Sequence, residues 1–372
     1  MLLSDYTSSR DNNFNLLRFM AALFVLYTHA FSLTTGQASS EPLRVLLGMS
    51  LGDIAVDIFF ITSGFLITSS YLNRGNMVAF AWARILRIYP GLIVAVLFCV
   101  FVVGLWFTSL SASEYLTHPQ TYKYLVKNIT LLGGVEHYLP GVFTDVPWKG
   151  VINGSLWTLP FELKMYIILA VILFFSLCIA KYIKFLTLKN VLLTAAVVSI
   201  SLHIVNVIDP FLYGNRERFI RLFSMFFVGA AFYVWKEHIV LSYKWFVLAV
   251  GLFLLSMLSQ NFFIVIYSVT LPYIIFFVAY VPSGVIRKFN SFGDYSYGMY
   301  IYAFPVLQIL VAIDPHISVV EIIIYSFIMT LVLSIASWHF VEKKFLKMKD
   351  NYGFIENIIK KSKLSIKCSD IK

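Results

Sequence analysis

Arg18 and His29 are ionisable residues within one apolar run, LRFMAALFVLYTHA (17–30), and their types and spacing point to chemistry. Eleven residues make about three turns of an α-helix, so the two side chains share a face about 16 Å apart along the axis. Arg18 alone could be an interfacial anchor, and His29 alone could be a packing residue that hydrogen-bonds a neighbouring helix. An ionisable residue inside a membrane span is more often functional. Because histidine exchanges a proton near neutral pH, we predict His29 as a general base or as a nucleophile that briefly carries a transferred group.

Two carboxylates in other apolar segments are further candidates for catalysis. Asp57 lies in DIAVDIFFITSGFLI (53–67), where a charge facing lipid would be costly. Glu162 lies in NGSLWTLPFELKMY (153–166), close enough to the outer side of a span to need a partner. We predict both as catalytic residues, with Glu162 orienting His29 or stabilising its charge.

Arg84 and Arg87 lie three residues apart on one helix face in FAWARILRIYP (80–90). Their place at the cytoplasmic end of a span explains the positive charge but not the choice of arginine at both positions. Arginine forms bidentate contacts with phosphate. We therefore predict that Arg18, Arg84 and Arg87 bind phosphate groups.

Four further side chains are predicted to line the substrate path. Ser63 lies beside a glycine in the second apolar segment, Trp157 opens the fourth, and Tyr297 and Tyr300 belong to GDYSYGMYIYAFP (293–305). Small residues also allow close helix packing, and aromatic residues also fill cores and interfacial belts. Packing roles therefore stay open for all four.

The elements that must position these residues are membrane helices. Of 372 residues, 59% are hydrophobic and 13% are charged, about half the charged fraction of a soluble domain, and the mean hydropathy is +0.81. The apolar residues recur in blocks of about 20, the length of a spanning helix. The sequence predicts an all-α polytopic membrane protein with ten spans, at 14–34, 51–70, 88–109, 157–180, 190–208, 219–235, 245–259, 262–281, 295–313 and 318–340.

Charge placement predicts the orientation of these spans. Most lysines and arginines fall in loops on the side of the two termini, which predicts that both termini are cytoplasmic. The net charge of +10 lies in short loops and in the tail, a distribution that argues against a nucleic-acid partner. The three cysteines have no metal-binding or redox spacing, and no metal is predicted. We divide the chain into a membrane domain (1–349) without an attached soluble domain and a basic cytoplasmic tail (350–372).

Six motifs in this order, across nearly the whole chain, resemble the membrane-bound acyltransferase-3 family. They are Arg18 with His29, FFITSGF (59–65), the Phe80–Pro90 motif, SLWTLPFE (155–162), GDYSYGMYIYAFP (293–305) and FVEKKF (340–345). The resemblance implies ten transmembrane helices and transfer of an acyl group, usually acetyl, from cytoplasmic acetyl-CoA to a sugar hydroxyl. Bacterial members modify surface glycans such as O-antigen. The acceptor expected here is a lipid-linked or polymeric glycan at the bacterial inner membrane.

Two departures from the family pattern accompany this resemblance. Ala303 stands where many members have a histidine, and the extracytoplasmic esterase-like domain of some relatives is not expected here. A transporter or flippase for a glycan or small anion is the competing interpretation, and a non-catalytic partner in glycan assembly is a third. A transporter explains the spans and the buried charge, but it does not explain an arginine cluster paired with one deep histidine.

Overall fold

The computed structural model describes residues 1–9, 11–179, 187–208 and 216–356. Within these ranges the protein is helical, with isolated β-bridges but no strands, which confirms the predicted all-α class. Ten long helices, α1–α10, are Phe14–Thr35, Leu51–Arg74, Met77–Phe107, Leu159–Ile179, Leu188–Ile208, Glu217–Val234, Tyr243–Ser256, Gln260–Tyr280, Ser296–Ile313 and Val319–Ser337.

The ten long helices correspond one to one to the ten predicted spans. In the described part of the chain, eight are long and apolar enough to cross a membrane. The other two are α6, which carries Glu217, Arg218 and Arg221, and α7, which has 14 residues. The number of helices that cross, and the side on which each terminus lies, stay predictions.

Two helix boundaries differ from the predicted ones. Helix α3 begins at Met77 rather than at 88, because the Asn76 side chain accepts hydrogen bonds from the backbone N–H groups of Val78 and Ala79 and so caps it there. Arg84 and Arg87 therefore lie within the helix. After α10, the helical path continues through one wide turn and two short helices as far as Asp350.

The closest helix packing joins α2 to α6. A Cβ atom on Gly64 would lie 1.9 Å from the carbonyl oxygen of Phe226, and one on Gly229 would lie 2.0 Å from that of Ile61. Reciprocal glycines of this kind let two helix backbones touch, a common solution inside membranes, where the hydrophobic effect does not drive helices together and close packing must do so. The position of α2 within the bundle is thereby tightly fixed.

The long connection between α3 and α4 is structured and enters the bundle. Asn153 Nδ2 donates to the backbone oxygen of Ile301, and Gln308 Nε2 donates to those of Trp148 and Val151, at 2.8–2.9 Å. These bonds join the connection to α9. A 3₁₀ turn, Gly154–Thr158, then leads directly into α4.

The helix bundle has two ends, which we call the loop end and the terminal end after the segments that lie there. The loop end carries residues 36–50 and the connection 108–153. The terminal end carries the N-terminal segment, which bonds to the end of α8 through Asn13, and the region where Arg74 pairs with Asp350 at 3.4 Å. Helix α2 runs from the loop end to the terminal end and contributes to every cavity described below.

Candidate active site

Three cavities follow one another along α2. The loop-end cavity has a volume of about 560 Å³, the central chamber about 40 Å³ and the terminal-end cavity about 350 Å³. The central chamber shares Val56 and Tyr300 with the loop-end cavity. The terminal-end cavity begins at Leu66, one turn beyond Ser63 of the central chamber.

His29 lies in the loop-end cavity, as expected from its depth in α1. The ring is half-buried and packs edge-to-face against Phe304, with the centroids 5.1 Å apart. Gly154, at the start of the 3₁₀ turn before α4, also lies against Phe304. A Cβ atom on Gly154 would lie 2.5 Å from that ring. No described residue hydrogen-bonds to the His29 ring, so its nitrogens remain available to a bound molecule.

Glu162 is not brought to His29. It lines the central chamber and accepts a hydrogen bond from the Tyr166 hydroxyl one turn along α4. No described hydrogen bond or ion pair joins Glu162 to His29, so their pairing stays a prediction. The chain enters the bundle before α4 begins. The 3₁₀ turn Gly154–Thr158 therefore places Glu162 at the level of Ser63 rather than near the loop end.

Asp57 is fully buried in an ion pair and does not line the loop-end cavity. Its carboxylate lies 3.3 Å from Arg221 Nε and accepts a hydrogen bond from the Tyr267 hydroxyl at 2.7 Å. Arg221 also contacts Asp53 at 3.1 Å, and Asp53 in turn contacts Arg44 at 3.1 Å. Asp57 therefore belongs to an ionic network whose other members, Arg44, Asp53 and Arg221, line the loop-end cavity. Its predicted catalytic role stays a prediction.

The three predicted phosphate-binding arginines are divided between two places. Asp294 binds two of them, at 2.5 Å from Arg87 and 3.4 Å from Arg18. Burial would raise the pKa of Asp294, but these two guanidinium groups and hydrogen bonds from Ser296 lower it to about 2, so the carboxylate stays charged. Arg18 and Arg87 therefore already have an anionic partner.

Arg84 has a different environment from Arg87. A separation of three residues turns the two side chains about 60° apart around the helix. Arg87 turns towards Asp294 and Glu342, whereas Arg84 lines the terminal-end cavity with Arg74 and Lys349. Arg84 makes no ion pair with a described residue, and its Nε atom is buried without a hydrogen-bond partner there.

The four predicted path-lining residues are in or beside the cavities. Ser63, Tyr297 and Tyr300 line the central chamber, and Trp157 lines the loop-end cavity beneath the Arg218 guanidinium, 5.2 Å from its ring. The Tyr300 hydroxyl is 2.7 Å from that of Thr158. This pair stands between the chamber and the loop-end cavity.

Sequence reasoning missed the ionic partners. Asp294 lies within a motif singled out for its tyrosines, and no functional prediction was made for Arg221 or Arg44. An acidic residue just before an apolar span was the available signal for Asp294. In the described ranges, no group of three His, Cys, Asp or Glu residues is arranged to hold a metal ion.

The structure thus defines a polytopic helical membrane protein with three successive cavities along α2 and, in the loop-end cavity, a histidine whose ring makes no hydrogen bond to a described residue. The acyltransferase-3 family profile, described as "Acyltransferase domain", matches residues 11–339. The chain belongs to this family, and it is an O-acyltransferase. The resemblance of its motifs is confirmed.

Two curated relatives agree with this assignment. The chain is 30% identical over 346 residues to a protein named "O-acetyl transferase" from Shigella phage Sf6, which covers 91% of this chain and 96% of the relative. It is 31% identical over 173 residues to "Nodulation protein 10" of Rhizobium leguminosarum bv. viciae, which covers 46% of each. No solved structure matches the chain.

Proposed function

We propose that the protein transfers an acetyl group from cytoplasmic acetyl-CoA to a hydroxyl of a cell-surface glycan at the bacterial inner membrane. The observation that carries this proposal is the succession of three cavities, with free positive charge at the terminal end and His29 at the loop end. The positive-inside bias of the sequence supports placing the terminal end in the cytoplasm.

The donor enters the terminal-end cavity. Arg84, Arg74 and Lys349 line it, and charged hydrogen bonds from such groups suit the phosphates of coenzyme A. Arg84 is the strongest contact because no carboxylate of a described residue lies within ion-pair distance of it, whereas Arg74 is paired with Asp350. Arg87 is instead held by Asp294 and Glu342, and Arg18 lines the chamber that the thioester enters.

The acceptor enters the loop-end cavity. Trp148 and Trp157 provide flat apolar surfaces with N–H donors for a sugar ring, beside several charged side chains. His29 removes the hydroxyl proton as the acceptor oxygen attacks the acyl carbonyl. The name of the phage relative supports acetyl as the group and oxygen as the acceptor atom. The O-antigen is the first acceptor to test.

Mass spectrometry of surface glycan tests this proposal. Glycan from cells that express the wild-type gene should carry one acetyl increment on a defined residue of the repeat unit. The increment should be absent when the gene is deleted and should return on complementation. Identical glycan masses in all three strains would reject the glycan as acceptor.

Replacing Arg84 with alanine should raise the KM for acetyl-CoA about 10- to 100-fold with a smaller change in kcat. The lost contact is a charged hydrogen bond of about 1.5–3 kcal/mol made to the donor before and during reaction. Steady-state release of CoA by purified protein measures both constants. Arg84→Lys should recover only part of the affinity, because lysine cannot bind phosphate in a bidentate manner.

Arg216→Ala is the matched control for that experiment. Arg216 is exposed and lines none of the three cavities. The KM of Arg216→Ala for acetyl-CoA should equal that of the wild type. An unchanged KM in Arg84→Ala would place the donor phosphates elsewhere.

A further inference from the structure

Ser63, Tyr166 and Glu162 form a hydrogen-bonded chain beside the central chamber. Ser63 Oγ lies 3.2 Å from the Tyr166 hydroxyl, which donates its proton to Glu162 Oε1. Ser63 and Glu162 both line the chamber, together with Arg18. Activated nucleophiles in enzymes share this arrangement. Their hydroxyl is hydrogen-bonded to a proton acceptor, and a third group orients that acceptor.

Ser63 is held on a rigid element. Its neighbour Gly64 lies so close to α6 that a Cβ there would be 1.9 Å from the Phe226 carbonyl oxygen. The backbone of α2 therefore cannot shift towards α6 at this position. Nucleophiles need such fixed backbones because small displacements from the attacking geometry lower the rate strongly.

Ser63 also lies on the donor's side of the path. Leu66, Ser70 and Asn73 line the terminal-end cavity and follow Ser63 along the same face of α2 at helical spacing. Seven residues from Ser70 to Ser63 span about 10 Å. A thioester that extends inwards from phosphates near Arg84 would reach Ser63 before His29.

The central chamber is too small for the donor to pass through it. Its volume of about 40 Å³ contrasts with about 350 Å³ for the terminal-end cavity. The Tyr300–Thr158 hydroxyl pair narrows the way to the loop-end cavity. An acyl group fits this space, whereas the nucleotide and its arm do not. A carrier at the chamber would let the acyl group continue while coenzyme A stays behind.

We propose that Ser63 is acylated during each turnover, as the intermediate acyl carrier between donor and acceptor. The inference rests on the proposed function and deepens it, because it divides the transfer into two steps. In the first step, Ser63 Oγ attacks the thioester carbonyl. Its proton passes to the Tyr166 oxygen as Tyr166 gives its own proton to Glu162, the C–S bond breaks, and coenzyme A leaves as the thiolate. Arg18 stabilises the negative charge that develops on the carbonyl oxygen.

In the second step, the acceptor hydroxyl enters the central chamber past Tyr300, which lines both cavities, and attacks the ester carbonyl on Ser63. His29 takes the proton of the acceptor. The bond between the acyl carbon and Ser63 Oγ breaks, and the serine oxygen recovers a proton from Glu162 through Tyr166. His29 then releases its proton to solvent, which balances the protonation of the coenzyme A thiolate.

The test is to trap the acyl-enzyme in purified full-length protein. Wild-type and His29→Gln proteins are incubated with radiolabelled acetyl-CoA without acceptor, quenched and digested. Label on the peptide that contains Ser63 is the expected result, and it should persist on adding glycan only in His29→Gln. Ser63→Ala should incorporate no label, and Tyr166→Phe should incorporate it about 100-fold more slowly.

Ser326→Ala is the matched control, because this buried serine in α10 makes its hydrogen bond, among the described residues, only to Ile323 of its own helix. Label mapped to His29, or product formation by Ser63→Ala at the rate of Ser326→Ala, would overturn the serine carrier. If Ser63→Ala does not fold, two measurements still test the serine carrier: the labelled peptide in His29→Gln and the rate of label incorporation in Tyr166→Phe. Failure of the wild type to release CoA in the presence of glycan would instead reject the proposed function, and the carrier with it.

Discussion

Replacing His29 with glutamine is expected to lower the rate of acyl transfer to the acceptor by about 10²- to 10⁴-fold, the usual contribution of a positioned general base. The ring contacts Phe304 and no described hydrogen-bond partner, so its loss removes little that holds the structure together. Glutamine has a similar size and cannot accept the proton. The measurement is product formed per unit time by purified protein.

Two controls accompany the His29 variant. Its thermal unfolding temperature should match that of the wild type, which separates lost chemistry from lost structure. His316→Gln, an exposed histidine beyond α9, should transfer at the normal rate. Normal acylation of the acceptor by His29→Gln would remove His29 from the mechanism.

Replacing Arg221 with methionine is expected to destabilise the protein by about 3–5 kcal/mol, because it leaves the buried Asp57 carboxylate without its cation. Asp57 has no exposed surface and Tyr267 alone would remain as its partner. Thermal unfolding in detergent micelles measures the effect. The double variant Arg221→Met, Asp57→Leu should recover much of the loss, while Asp53 keeps its contact with Arg44.

The exposed pair of Lys189 and Glu237 provides the comparison for that buried pair. Its side chains are 3.1 Å apart but about half exposed, and exposed pairs contribute little to stability. Glu237→Gln should therefore leave the unfolding temperature nearly unchanged. A double variant at Arg221 and Asp57 that is as unstable as Arg221→Met alone would show that the ion pair is not the cause.

The helices could be predicted because hydropathy is a local property of the chain. The ten apolar blocks each became one long helix, and the helix with Arg18 and His29 places them beside two connected cavities. The start of α3 was predicted too late because Arg84 and Arg87 interrupt the run of apolar residues. The helix nevertheless begins at Met77, where the Asn76 side chain caps it.

The site could be predicted residue by residue but not as a set of partners. Each buried ion pair joins segments that are far apart in the sequence: Arg87 pairs with Asp294, and Asp57 pairs with Arg221. The hydrophobic periodicity of a sequence does not indicate which helices pack together. The position of Glu162 depends on a 3₁₀ turn inserted into the bundle, which hydropathy treats as an ordinary interface. The predicted basic tail lies outside the described residues from 357 onward and stays a prediction.

The most direct test of the whole path uses proteoliposomes of one orientation. Labelled acetyl-CoA is placed only on the side of the terminal end, and oligosaccharide only on the side of the loop end. The account predicts equal amounts of free CoA on the first side and acetylated oligosaccharide on the second, both lost in His29→Gln. Label that crosses the membrane without cleavage of the thioester would identify a transporter, and transfer only when both substrates share a side would contradict the path.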